Sequence, residues 1–174
     1  MRKKSRAMRH TEAPFLDGYL PYLLAQAAYL ISAQFHRHLA ARGIRVSVWR
    51  LLATLAGRNG LTVGELADQM LLQQPTVTKI VGRLEADGLV QRSPSSADRR
   101  QVIVDLTKRG RAMVSVLLEE AAQHQDQVLS LYSKAEVELL FRVLRTVLAR
   151  NGVAEWGTPG LANELRGRPA VERV

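Results

Sequence analysis

Residues 74–107 read QPTVTKIVGRLEADGLVQRSPSSADRRQVIVDLT, and a change of period inside this stretch decides the fold. From Gln74 to Glu85 the apolar residues Val77, Ile80, Val81 and Leu84 recur at three- and four-residue spacing, the stripe of an amphipathic helix. Pro75 stands in the first turn, where its missing N–H costs nothing, and Gly88 is the stop. Beyond Gly88 the helical period vanishes. Leu89–Arg92 and Gln101–Leu106 are short β-prone runs; in the second, Val102, Val104 and Leu106 alternate with Ile103 and Asp105. The polar segment Ser93–Arg100 between them has no apolar anchor, so the two runs predict a hairpin with a long protruding tip.

Upstream, Leu71-Leu72-Gln73 leaves a turn of about three residues to a short helix. That helix carries Leu66, Ala67 and Met70 and opens on a capping box, Thr62 with Glu65. Ser47 is the N-cap candidate of an earlier helix with Val48, Leu51, Leu52 and Leu55 on its inner face and Gly57 behind it. Residues 17–41 predict a long first helix, with Leu16, Leu20, Leu23, Leu24, Ala27, Leu30, Ile31 and Leu39 at helical spacing and Gly43 as its stop. Downstream, Thr107 caps a long helix running to about Leu131. Ser133 with Glu136 opens a last helix running to about Arg150. Residues 151–174 hold four Gly and two Pro and read as a tail, with room for a helical turn at Leu161–Leu165.

The 174 residues carry 25 Lys and Arg against 16 Asp and Glu, a net charge of +9. Its location matters more than its sum. Residues 1–10 contribute +5 and residues 45–111 another +5, whereas residues 11–44 are neutral and residues 112–174 carry −1. A segregated basic block is the electrostatic footprint of nucleic-acid binding; the arm at 1–16 also reads as a solvated tail. There is no cysteine, which excludes disulfides, Cys-ligated zinc, iron–sulfur clusters and a thiol redox switch. No apolar run approaches the ~20 residues of a membrane span. The basic N-terminus is followed by Glu12, Asp17 and prolines rather than a signal-peptide core, so the expectation is a cytoplasmic protein with no membrane partner.

The outward positions of the helix after Pro75 carry Gln74, Thr76, Thr78, Lys79 and Arg83. Amides and hydroxyls of this kind reach base edges, and the cations meet phosphates, when a helix enters a major groove end-on. Standing alone the same residues would read as a solvated helix face. Three helices followed by a hairpin are the parts of a winged helix-turn-helix, and that context favours DNA.

Thr76–Arg92, together with Asp98-Arg99-Arg100 followed by Val102–Thr107, resembles the multiple antibiotic resistance regulator (MarR) family of bacterial transcription factors. Asp98, Arg100 and the Leu106-Thr107 pair match that family's wing signature, and Val46–Leu52 is similar to its second-helix start. The likeness runs from about residue 17 to 150. It implies that Arg100 projects from the wing tip into a minor groove, that Asp98 pairs with Arg100, and that Arg99 meets backbone phosphate. Asp98 is equally a turn residue satisfying local backbone. Thr76, Thr78, Lys79 and Arg83 become the recognition-helix contacts; Gln74 either reads a base or caps.

The fold class expected is therefore mainly α with a small β-hairpin wing: a winged helix-turn-helix lobe at 45–106 and a helical dimerisation lobe from 17–44 and 107–150. Apolar stripes at Val116, Leu117, Ala121, Val128 and Leu131, and at Val137, Leu140, Phe141, Leu144 and Val147, support that second lobe independently. The partners implied are a second copy of the chain, double-stranded DNA with a palindromic operator, and a small aromatic-acid or phenolic effector that releases a repressor. His36, Trp49 and Arg50 lie where the first two helices should meet and are the effector candidates. Trp49 reads as well as simple core packing, and Arg50 as the partner of an acidic neighbour. His36 and His38 stand about 200° apart on a helix and cannot share a metal within one chain. No metal and no cofactor is expected. No phosphate-cradling glycine loop or nucleophile motif supports an enzyme, so no catalytic residue is assigned. The alternative is a winged-helix protein-interaction module whose basic arm meets an acidic partner or a membrane surface.

Overall fold

The computed structural model describes residues 14–58, 60–95 and 101–151. One turn of 3-10 helix, Phe15–Gly18, leads into α1 (Leu20–Ala41) and α2 (Val46–Ala56). Then follow β1 (Leu61–Thr62), α3 (Val63–Met70), α4 (Gln74–Ala86), β2 (Val90–Pro94), β3 (Val102–Leu106), α5 (Lys108–Leu129) and α6 (Lys134–Arg150). The fold is mostly helical with a three-stranded antiparallel sheet in the order β1-β3-β2. This is a winged helix-turn-helix, with α1, the far part of α5 and α6 outside it. The arm at 1–10, the wing tip with Asp98, Arg99 and Arg100, and the turn at Leu161–Leu165 lie outside the described residues.

Both capping boxes form. The Thr62 hydroxyl accepts from Glu65 N–H at 3.2 Å while the Glu65 carboxylate accepts from Thr62 N–H at 2.7 Å. Ser133 and Glu136 do the same at 3.3 and 2.8 Å. The N-cap of α2 is not Ser47 but Arg45, which is extended (φ −74°, ψ 143°) and contributes no side-chain bond. The reason is the tight end of α1: Ile44 N–H closes on Leu39 O at 2.9 Å, so the chain is free to turn helical again at Val46. The first helix begins at Leu20 rather than residue 17, because Phe15–Gly18 form their own turn and Tyr19 is extended.

The sheet also corrects the hairpin. Leu61 and Thr62 add a third strand, pairing with Val104 and Ile103 of β3. Gly60 makes this approach possible: its φ is +85°, and a Cβ there would run into the Ile103 side chain. On the inner face Leu61, Val90, Val104 and Leu106 are buried against Leu51, Leu52, Leu55, Leu66, Met70, Val77, Val81 and Leu84. Full burial of such side chains stabilises by about 1.5–3 kcal/mol each. No polar or charged residue is buried among the described residues. A smaller cluster of Phe35, Leu39 and Leu117 joins α1 to α5, while α6 buries no residue at all.

α5 is locked to the turn after α4. Thr107 Oγ1 accepts from Gly110 N–H at 3.0 Å and donates to Gly88 O at 2.7 Å; Arg109 Nη1 donates to Asp87 O at 3.0 Å. Gly110 itself lies backbone to backbone on Leu89, so a Cβ there would overlap the Leu89 carbonyl oxygen. Gly→Ala inside a helix ordinarily gains about 0.5–1 kcal/mol. Here the overlap decides the sign. Gly110→Ala is expected to destabilise by about 1–3 kcal/mol, the usual range for overpacking, and to lower the thermal midpoint measured by circular dichroism; a raised midpoint would contradict the contact.

Candidate nucleic-acid interface

α3 and α4 are joined by Leu71-Leu72-Gln73, as a helix-turn-helix requires. Leu71 makes the corner in the left-handed region (φ 54°, ψ 42°), its N–H returning to Asp68 O at 3.2 Å. Pro75 lies in the first turn of α4, where the lost donor is harmless. Val77, Val81 and Leu84 are buried, which turns the opposite face outward. Gln74, Thr76, Thr78, Lys79 and Arg83 are all exposed on α4.

Each has a definite chemical state. Gln73, not Gln74, is the N-cap, and no side chain caps α4. A Cβ on Gly64 would stand 3.2 Å from Gln74 Nε2, so the Gln74 amide lies across the start of α3. The Thr78 hydroxyl donates to Gln74 O at 2.9 Å. With its proton engaged, Thr78 offers outward a methyl group and acceptor lone pairs. The described ion pairs leave Lys79 and Arg83 without a carboxylate partner. A third cation, Arg92 on β2, is held by Glu85 of α4 at 3.2 Å; no local period reports this pair, because its members stand on different elements.

The effector candidates separate. Trp49 meets Phe35 edge-on at 5.3 Å and 72°. The Phe35 ring also faces His124 at 5.7 Å and His38 at 6.2 Å. His36 is half-buried and makes none of these ring contacts, and Arg50 is exposed. Beside the rings, His38 Nε2 donates to Glu120 Oε2 at 3.0 Å, and Arg42 reaches both Glu120 oxygens, at 3.0 and 2.6 Å. This group ties α1 to α5. His124 as a residue is half-buried, but its Nε2 atom is closed off from solvent with no hydrogen-bond partner. Phe35, His38, Arg42, Glu120 and His124 were not singled out as a unit by the sequence, because Glu120 lies far along the chain from His38 and Arg42. Among the described residues no group of three or more His, Asp or Glu is arranged to hold a metal, and no helix is long and apolar enough to cross a membrane.

A protein-family model described as MarR family matches residues 42–101. The transcriptional activatory protein BadR of Rhodopseudomonas palustris is 33% identical over 107 residues, covering 60% of this chain and 61% of that protein, less than two thirds of its length. A MarR family transcriptional regulator from Silicibacter pomeroyi DSS-3 matches with a TM-score of 0.69 and 39% identity, over 78% of this chain and 99% of that one. BpsR of Bordetella bronchiseptica, whose structure concerns regulation of DNA binding by 6-hydroxynicotinic acid, matches with a TM-score of 0.67 and 25% identity, over 78% and 96% of the two chains. These relatives are regulators, not enzymes.

Glu120 makes the α1–α5 tie sensitive to acid. Partial burial pushes its carboxyl up, but the His38 hydrogen bond and the charges of Arg42 and His38 pull harder the other way, leaving it below the usual carboxylate range. A carboxyl lowered by folding stabilises the native state above its ordinary value, near 4.5, and that contribution is lost as pH falls through the folded value. The thermal midpoint should therefore fall on acidification below about pH 4.5, with a shallower fall in Glu120→Gln. Identical pH profiles for the two proteins would remove Glu120 from this role.

Proposed function

The chain belongs to the MarR family of DNA-binding transcriptional regulators, and on that footing we propose that it is a homodimeric, effector-released repressor acting in the cytoplasm on a palindromic operator. The observation that carries the reading is the outward face of α4: Gln74, Thr76 and Thr78 toward its start, then Lys79 and Arg83, exposed together above a buried apolar stripe. In this reading the DNA lobe is 45–106. Lys79 and Arg83 meet phosphates, and Thr78, whose proton is engaged by Gln74 O, accepts from an exocyclic base amine or packs its methyl on thymine. Arg100, braced by Asp98, enters the adjacent minor groove, and Arg99 meets phosphate, as the family resemblance implies.

The dimer rests on what the single chain leaves uncovered. α6 buries no residue yet exposes Leu139, Leu140 and Val143, and the first turns of α1 expose Leu20 and Leu23. A second copy covering these faces from 17–44 and 107–150 places two recognition helices about 34 Å apart, hence the palindrome. The effector is an aromatic acid seated at the Phe35–Trp49–His124 rings. Its carboxylate competes with Glu120 for His38 and Arg42, loosening α1 from α5. His36 and Arg50 flank this site. Activation is the second reading, favoured by the name of the relative BadR; lower target expression on deleting the gene selects it, higher expression selects repression.

Two sets of measurements test the proposal. Sedimentation should give twice the chain mass, and log K for operator DNA should fall by ~0.9 per phosphate neutralised as salt rises. Arg100→Ala and Lys79→Ala should weaken operator binding about tenfold with the dimer intact, whereas Thr78→Ala should also relax base preference. A monomer, or a shallow salt slope with no preference among fragments, overturns the reading. Aromatic carboxylates should release the complex, and Glu120→Gln should shift the dose they require; a screen that releases nothing removes the effector.

A further inference from the structure

The alternation of β2 places Arg92 on the same face as Val90, whose side chain is buried against the core. Arg92 sits opposite Val104, which is buried, but is itself exposed, its side chain extending beyond the edge of the core. There its Nη1 pairs with Glu85 Oε2 at 3.2 Å. Gly82 is one helical turn before Ala86 on α4, and a Cβ on it would lie 3.8 Å from Arg92 Nη2. The guanidinium therefore lies across α4 in the space a side chain at 82 would share. A cation of the hairpin and an anion of α4 meet over a glycine, between the two elements that the proposed DNA reading uses.

We propose that Glu85–Arg92 is a brace that sets the angle between the β2–β3 hairpin and α4, making both of them positioning residues for DNA recognition. The inference rests on the DNA reading given above for α4. Glu85 is the single acid between Gln74 and Ala86, and it pairs with Arg92 rather than leaving that cation free. That choice lowers the positive charge facing a polyanion, which is useful only if geometry is worth more than one further phosphate contact. Two other roles are open to an exposed arginine on this strand. It can contact phosphate directly, with Glu85 merely nearby. It can also guard an edge strand against pairing with another chain, since β2 lies at the edge of the sheet.

The signs of the single-variant effects separate these roles. For a brace, Glu85→Gln and Arg92→Gln each weaken operator affinity about three- to tenfold, the double variant is no worse than either single, and the exchange Glu85→Arg with Arg92→Glu recovers most of the loss. The salt slope of Glu85→Gln stays at the wild-type value. Thermal midpoints are measured alongside, and recovery of affinity by the exchange is the readout that a general loss of stability does not produce. If Glu85→Gln instead tightens binding while Arg92→Gln lowers the salt slope by about 0.9, Arg92 is a phosphate contact and the brace is wrong. Unchanged affinity in all variants, with increased self-association of Arg92→Gln, assigns edge protection and also overturns it. Wild-type protein that prefers no fragment, with Lys79→Ala and Arg83→Ala indistinguishable from it, overturns the DNA reading itself and the brace with it.

Discussion

The contact on which the two parts of this protein depend is the seat of Gly110 on the Leu89 peptide. It is a contact of backbone with backbone, and it leaves no room for even a methyl group. Around it Thr107 serves at once as helix cap and as donor to Gly88 O, and Arg109 holds the carbonyl of Asp87. The carbonyls of Asp87 and Gly88 after α4 and the Gly110 amide at the start of α5 thus find their partners in the side chains of Arg109 and Thr107, at a single corner. A side-chain contact here could slip among rotamers. A peptide packed on a peptide has no such freedom, so the start of α5 and the root of the hairpin share one orientation.

Other ties follow from that corner. Arg111 reaches Asp105 of β3 at 3.1 Å, and Glu120, further along α5, holds His38 and Arg42 of α1. Each is an exposed or half-exposed pair, and such pairs contribute little alone. Their value lies in sequence along one rigid helix: the sheet, the α4 turn and α1 are all referred to α5. Charge is spent on connection at these places and left unspent at Lys79 and Arg83.

Legibility in the sequence tracked the range of the interactions. The two capping boxes, the α4 stripe and the turn at Leu71–Gln73 involve residues three or four apart, and local spacing reports them. The strand Leu61–Thr62 was invisible because two residues carry no period and their partners are Ile103 and Val104. Ser47 was misread because hydroxyl chemistry favoured a cap, whereas the end of α1 had already placed the chain to restart at Val46. The ring cluster was half legible: Trp49 stood out, while Phe35, His124 and Glu120 meet only through packing of α1 on α5. Exposure of Gln74, Thr76, Thr78, Lys79 and Arg83 could be inferred because the buried residues Val77, Val81 and Leu84 are written between them.

The length of α5 converts that rigid seat into leverage. Glu120 lies ten residues beyond Gly110, about 15 Å along the axis at 1.5 Å per residue. With the fulcrum fixed at Leu89, a sideways step of ~1 Å at Glu120 is a tilt of about 4°, and at Leu129, about 28 Å out, the same tilt is a travel of about 2 Å. On the proposed DNA reading, the seat of Gly110 on Leu89 would carry the hairpin and α4 along with any such swing of α5. The ratio of travel on that reading is set by the ten residues between Gly110 and Glu120.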